Sequence, residues 1–158
     1  MMPAPPVSGG AGVPVIAATG HFGFFVRRRV MGFTGFVAVG VGGALGCWLR
    51  WVLGSFLNQL FPTLPPGTLA ANLIGALIMG CMLGVLDQFQ ALPVAVRLFV
   101  MTGFLGGLTT FSTFSAEATT LLLRQQYFWF GTHIAVHLIG SLSMTVLGLT
   151  LTRSLLRH

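Results

Sequence analysis

The stretch Gly103-Phe104-Leu105-Gly106-Gly107-Leu108-Thr109-Thr110-Phe111-Ser112-Thr113-Phe114-Ser115-Ala116-Glu117 decides the fold of this chain. It lies inside an apolar run from Pro93 to Leu123 whose midpoint is residue 108. About 20 mostly apolar residues cross a bilayer as a helix, so the Gly106-Gly107 pair falls near its centre. Adjacent glycines weaken a helix there, and hydroxyls just beyond them can satisfy freed backbone groups. The expectation is a transmembrane helix broken near midplane. Unwound carbonyls at that depth are a recurrent way to hold a cation. Past the break, Phe111 and Phe114 share a face at i, i+3, while Thr110, Thr113 and Glu117 form a polar stripe. The competing structural reading has the hydroxyls bonding back one turn and the rings packing as core. Five hydroxyl residues within seven positions, 109 to 115, strain that reading without eliminating it.

Outward from this stretch the same apolar character repeats. The spans predicted are Phe33 to Leu57, Thr68 to Leu86, the residues after Pro93 to Leu123, and Phe128 to Leu151. Each ends at polar residues: Asn58, Asp87-Gln88, Arg124-Gln125-Gln126, and Thr152 onward. Pro62, Pro65 and Pro66 mark a loop, because proline removes a backbone donor and disfavours helix before it. Tyr127, Trp129 and Phe130 form an aromatic anchor of the kind found at membrane interfaces. The fold class expected is an all-α integral membrane protein of four helices, the third of them broken.

Composition agrees. Of 158 residues, 54% are hydrophobic and only 6% charged. Two acidic side chains cannot solvate a globular surface of this size, which excludes a soluble enzyme and a charged coiled coil. The formal charge is +6. Outside Arg27-Arg28-Arg29, however, the arginines are scattered between apolar runs, and no nucleic-acid-binding face forms. Cys47 and Cys81 read as inert thiols in apolar segments. His133 and His137 stand at i, i+4, a spacing that can hold a metal. With no Cys, Asp or Glu nearby in sequence, packing or hydrogen bonding is the preferred role for them.

Residues 1 to 30 read as a disordered tail, rich in Pro, Gly, Ala and Val without periodicity, and residues 31 to 158 as the membrane domain. Four spans put both ends on one side with Arg97. The arginines on that side, beyond the tail, barely outnumber Arg124 and Arg50 opposite. Under the positive-inside rule, so even a balance suits insertion in both orientations. Within the spans, Gly42, Gly43 and Gly46 permit close helix approach. Arg50 lies where it can snorkel to the interface. Asn72 is a lone amide on an apolar helix, able to glue two helices or to face a path.

These residues resemble the fluoride-specific ion channel (Fluc) family over roughly residues 33 to 152. The resemblance rests on Gly42-Gly43-x-x-Gly46-x-x-x-Arg50, Gly67-Thr68-Leu69-x-x-Asn72-x-x-Gly75 and Gly103-x-x-Gly106-Gly107-x-Thr109-Thr110-Phe111-Ser112-Thr113-Phe114. It implies a multi-pass bacterial inner-membrane protein that passes fluoride ions passively. It also implies an antiparallel homodimer with two pores, and a structural, non-transported Na⁺ held by carbonyls matching Gly106 and Thr109. Asn72, Phe111 and Phe114 match residues lining the fluoride path, and Thr113 and Ser141 match polar-track positions. Ser112 adds a further donor hydroxyl. Arg50 and Glu117 fall at the vestibule or helix interface. The physics is compatible: ring edges carry partial positive charge and can meet an anion without trapping it. A four-helix small-molecule exporter is the alternative from another class. It would normally need an acid deep in its substrate site, whereas Glu117 lies about nine residues past the span's midpoint.

Overall fold

The structure is a computed structural model describing residues 32–61, 63–89 and 92–156; the expected tail, residues 1 to 30, lies outside the described residues. Its elements are α1 (Phe33–Leu57), α2 (Pro66–Gln88), α3 (Val94–Arg97), a π-helical segment (Leu98–Phe104), α4 (Leu105–Leu108), α5 (Phe111–Leu123) and α6 (Tyr127–Leu156). α3 through α5 together make the third span. Among the described residues, four helices are thus long and apolar enough to cross a membrane. No strand occurs among the described residues.

α2 opens at Pro66, two residues before the expected start, because proline is well tolerated at the first helical position. Its Gly67 N–H donates to Asn58 Oδ1 at 2.8 Å, so the end of α1 caps the start of α2. The turn between α5 and α6 is closed by Gln125 N–H to the Leu122 carbonyl and Gln126 N–H to the Leu121 carbonyl, at 2.9 and 3.0 Å. This Schellman arrangement places Gln125 in the left-handed region with φ 58°, a position usually given to glycine.

The break in the third span is not at the glycine pair. Gly106 and Gly107 stay helical in α4, and the chain extends at Thr109 (φ −78°, ψ 152°) and Thr110 (φ −146°, ψ 112°). Thr110 caps α5, its hydroxyl accepting from Thr113 N–H at 3.1 Å, which stops the helix from running through. Gly107 serves approach instead: a Cβ there would run into the Gly43 carbonyl of α1. Along the same seam, a Cβ on Gly46 would meet the Phe104 carbonyl. α2 and α6 pack equally closely, with Gly80 against the Thr145 carbonyl and Gly148 against that of Leu77. In lipid such approach replaces the hydrophobic drive with dispersion contact.

Few side chains are fully enclosed; Leu108 and His133 are the largest. Trp48 and Trp51 are 65% and 71% exposed on α1, as suits a lipid-facing helix. Phe61 meets Trp129 edge-on at 5.7 Å, joining the first loop to the start of α6.

Candidate pore site: two grooves at the helix break

The break frees backbone groups, and Asn72 of α2 takes them. Its Oδ1 accepts from Thr110 N–H at 2.8 Å, and its Nδ2 reaches the Thr110 carbonyl at 3.3 Å. The same amide nitrogen lies 3.2 Å from His137 Nδ1 of α6. Because the backbone N–H fixes which end of the amide is oxygen, Nδ2 is the donor and His137 Nδ1 the acceptor. Asn72 therefore glues three elements, and both its hydrogens are engaged.

A groove of about 540 Å³ opens beside it. Asn72, Phe111, Phe114 and Ser141 line this groove together with Gly106 and Thr109. Phe111 and Phe114 tilt against each other at 5.5 Å, and Phe111 stands 79% exposed. Ser141 makes no side-chain hydrogen bond among the described residues, so its hydroxyl can turn to a ligand. A second groove, about 550 Å³, lies on the other side of the break, where Thr113 joins Arg50, Asn58 and Thr68. Thr110 lines both grooves. Its hydroxyl donates to Thr113 Oγ1 at 3.0 Å, leaving the Thr113 proton available. Ser112 is exposed at the break, 3.2 Å from Thr110 Oγ1, and lines neither groove.

The two charged candidates sit at helix interfaces. Arg50 is half-buried, and its Nε donates to the Gly107 carbonyl at 2.9 Å. That carbonyl is near the C-terminus of α4, where a cation is favoured. Glu117 on α5 accepts from the Thr68 hydroxyl of α2 at 2.6 Å.

Residues 37–149 match the family described as CrcB-like protein, Camphor Resistance (CrcB). The chain belongs to the CrcB family. It is 56% identical over 128 residues to the "Fluoride-specific ion channel FluC" of Nitrosospira multiformis, covering 81% of this chain and 100% of that protein. A protein of the same name from Cupriavidus necator is 53% identical over 119 residues, 75% of this chain and 94% of its own length. One from Tolumonas auensis is 54% identical over 122 residues, with 77% and 95% covered.

In this CrcB-family chain Thr110 gains a role that the sequence did not assign, while His133 and His137, expected to pack or hydrogen-bond, pack on Phe114 and His137 also meets Asn72. Thr110 is the cap and shared wall of the break. His133 and His137 are buried, and both lie against Phe114, with ring centroids at 5.2 and 4.9 Å. Glu117 comes to them through space: its Oε2 is 3.6 Å from His133 Nε2. The available signal was hairpin arithmetic, since residues 117 and 133 lie eight positions either side of Gln125.

Proposed function

We propose that this chain is a fluoride-selective ion channel that lets fluoride leave the cell passively across a bacterial inner membrane, lowering fluoride toxicity. It is not an enzyme. The observation that carries this reading is the gathering of Asn72, Phe111, Phe114 and Ser141 along one groove at a broken membrane helix, in a chain whose close relatives are named fluoride-specific ion channels.

Fluoride is small and strongly hydrated, so a path must offer hydrogen-bond donors in place of water. The Ser141 and Thr113 hydroxyls have protons to give, and Ser112 stands beside the break. Asn72 Nδ2 holds two contacts beyond 3 Å, which an anion can displace. The rings of Phe111 and Phe114 offer positive edges, enough to guide an anion and too weak to hold it. A full cation in the path would slow release; Arg50, bonded to the Gly107 carbonyl, is directed at the backbone instead.

The working unit is an antiparallel homodimer, with each groove covered by the second subunit. A Na⁺ at its centre fits the freed carbonyls. In a continuous helix, the Gly106 and Thr109 carbonyls would accept from the N–H groups of Thr110 and Thr113. Those N–H groups are bonded to Asn72 Oδ1 and Thr110 Oγ1. Both carbonyls therefore lack their helical partners, a state that a cation relieves. When bound, Na⁺ adds a fixed positive potential near the anion route without being transported.

The test is fluoride efflux from liposomes carrying the purified chain, with and without a proton gradient. Rapid efflux that needs no gradient supports the channel. Transport seen only with a gradient, and indifferent to fluoride, points to a proton-coupled small-molecule exporter instead.

A further inference from the structure

Glu117, His133 and His137 each present a ligand atom, and these atoms all lie within 4.8 Å of one another. Two of the groups face each other with no hydrogen bond: Glu117 Oε2 and His133 Nε2 are both buried and unpartnered, 3.6 Å apart. That separation is too long for a hydrogen bond. It approaches the roughly 3.3 Å edge of a tetrahedron with ligand bonds of about 2.0–2.1 Å.

The surroundings hold these atoms in place. Thr68 occupies Glu117 Oε1 at 2.6 Å, leaving Oε2 directed at the histidines. Phe114 stacks on His133 with the ring planes 12° apart. One helical turn of α6 sets the two imidazoles side by side, centroids 4.5 Å apart. His137 lines the groove beside Asn72, which provides a way in.

We propose that Glu117, His133 and His137 form a three-ligand binding site for a divalent transition-metal ion, with Zn²⁺ the best fit. Two imidazoles and one carboxylate suit Zn²⁺, which accepts tetrahedral geometry and keeps a fourth position for water or an anion. The carboxylate offsets one of its two charges. Nothing in this step depends on the central Na⁺.

Occupancy reaches the fluoride path through Asn72, a consequence that rests on the channel reading above. His137 Nδ1 accepts from Asn72 in the metal-free state. A metal on Nδ1 displaces that amide. A metal on Nε2 moves the ring proton to Nδ1, where it opposes the amide hydrogens. Either way Asn72 loses its contact, and a cation now stands beside the groove, where it holds anions too long.

The full chain in lipid nanodiscs, stripped with chelator, is titrated with Co²⁺ and then with Zn²⁺. The expected result is one Co²⁺ per chain with the intense visible absorption of tetrahedral coordination, displaced by Zn²⁺. Zinc X-ray absorption on the unmodified chain should show four light-atom ligands at about 2.0–2.1 Å, two of them imidazoles, the others the carboxylate oxygen and a water or anion, a reading that needs no variant. His133→Gln and Glu117→Gln should abolish the signal, and Thr68→Val should weaken affinity about tenfold by releasing the carboxylate. The site is overturned by a spectrum with fewer than two imidazoles, or by Co²⁺ absorption that persists in both His133→Gln and Glu117→Gln. In liposomes, Zn²⁺ should slow fluoride efflux severalfold and chelator should restore it. Metal bound with unchanged efflux upholds the site and counts against Asn72 as part of the path.

Discussion

Asn72 shows how much one side chain can settle. Its carbonyl oxygen and both amide hydrogens are engaged, with Thr110 on two sides and His137 on a third. Asn72→Ala removes all three and leaves two backbone groups of the buried Thr110 unpaired. The expected loss is about 1–3 kcal/mol of stability together with a large fall in fluoride efflux. Thermal unfolding in detergent and liposome efflux read the two effects separately. Phe111→Ile and Phe114→Ile should cut efflux while the fold survives, since each keeps apolar bulk and loses a positive ring edge. Wild-type efflux from all three variants would remove these residues from the path. Asn72, Phe111 and Phe114 could be picked out in sequence because polar residues and paired rings stand out in apolar helices. A gluing role for Asn72 was legible as well, but that the helix break is what it ties down was not. It depends on where α2 passes Thr110.

At the level of elements, the third span holds the main lesson. Its break was legible to within one turn, because glycines and hydroxyls cluster there. The helix stops at Leu108, with Thr109 extended, and restarts under the Thr110 cap and not at the glycine pair, since capping is decided by a side-chain contact and not by composition. This separates the two glycines experimentally. Gly107→Ala drives a methyl group into the Gly43 backbone and should cost about 1–3 kcal/mol, read as a lower unfolding temperature. Gly106→Ala meets nothing within 4 Å and should leave the fold of the single chain intact. Equal destabilisation by both would refute the assigned seam. In the turn before α6, Gln125→Gly relieves a left-handed residue and should stabilise by about 0.5–1 kcal/mol in the same assay.

For the whole molecule, the balance of charge and the openness of the grooves bear on assembly. Aromatic and aliphatic side chains remain exposed on every long helix, Phe36 at 78% and Phe128 at 76% among them. Lipid suits such a surface, and the second subunit proposed above would cover part of it. If the proposed Na⁺ sits on the freed carbonyls of Gly106 and Thr109, replacing it by a bulky organic cation should inactivate efflux, because those carbonyls are then left without a partner. Full activity after exhaustive Na⁺ removal would refute the central cation. Arg27, Arg28 and Arg29 precede the first span closely enough to bias insertion. A chain beginning at Met31 should therefore insert nearly equally in both senses, measured by labelling an introduced C-terminal cysteine from each side of the membrane. A one-sided signal from an active chain would refute dual orientation.

The sequence by itself determined the spans, the class of the molecule and the neighbourhood of the break. All three are written in local hydropathy and in residue types that helices tolerate poorly. Tertiary structure decided which side chains meet. Arg50 reaches Gly107 across 57 positions, Asn72 reaches His137 across 65, and Glu117 opposes His133 over a tight turn. Each of these depends on how helices rotate and slide against one another. That rotation is set by glycine seams on both helices at once, and no single stretch of sequence contains it.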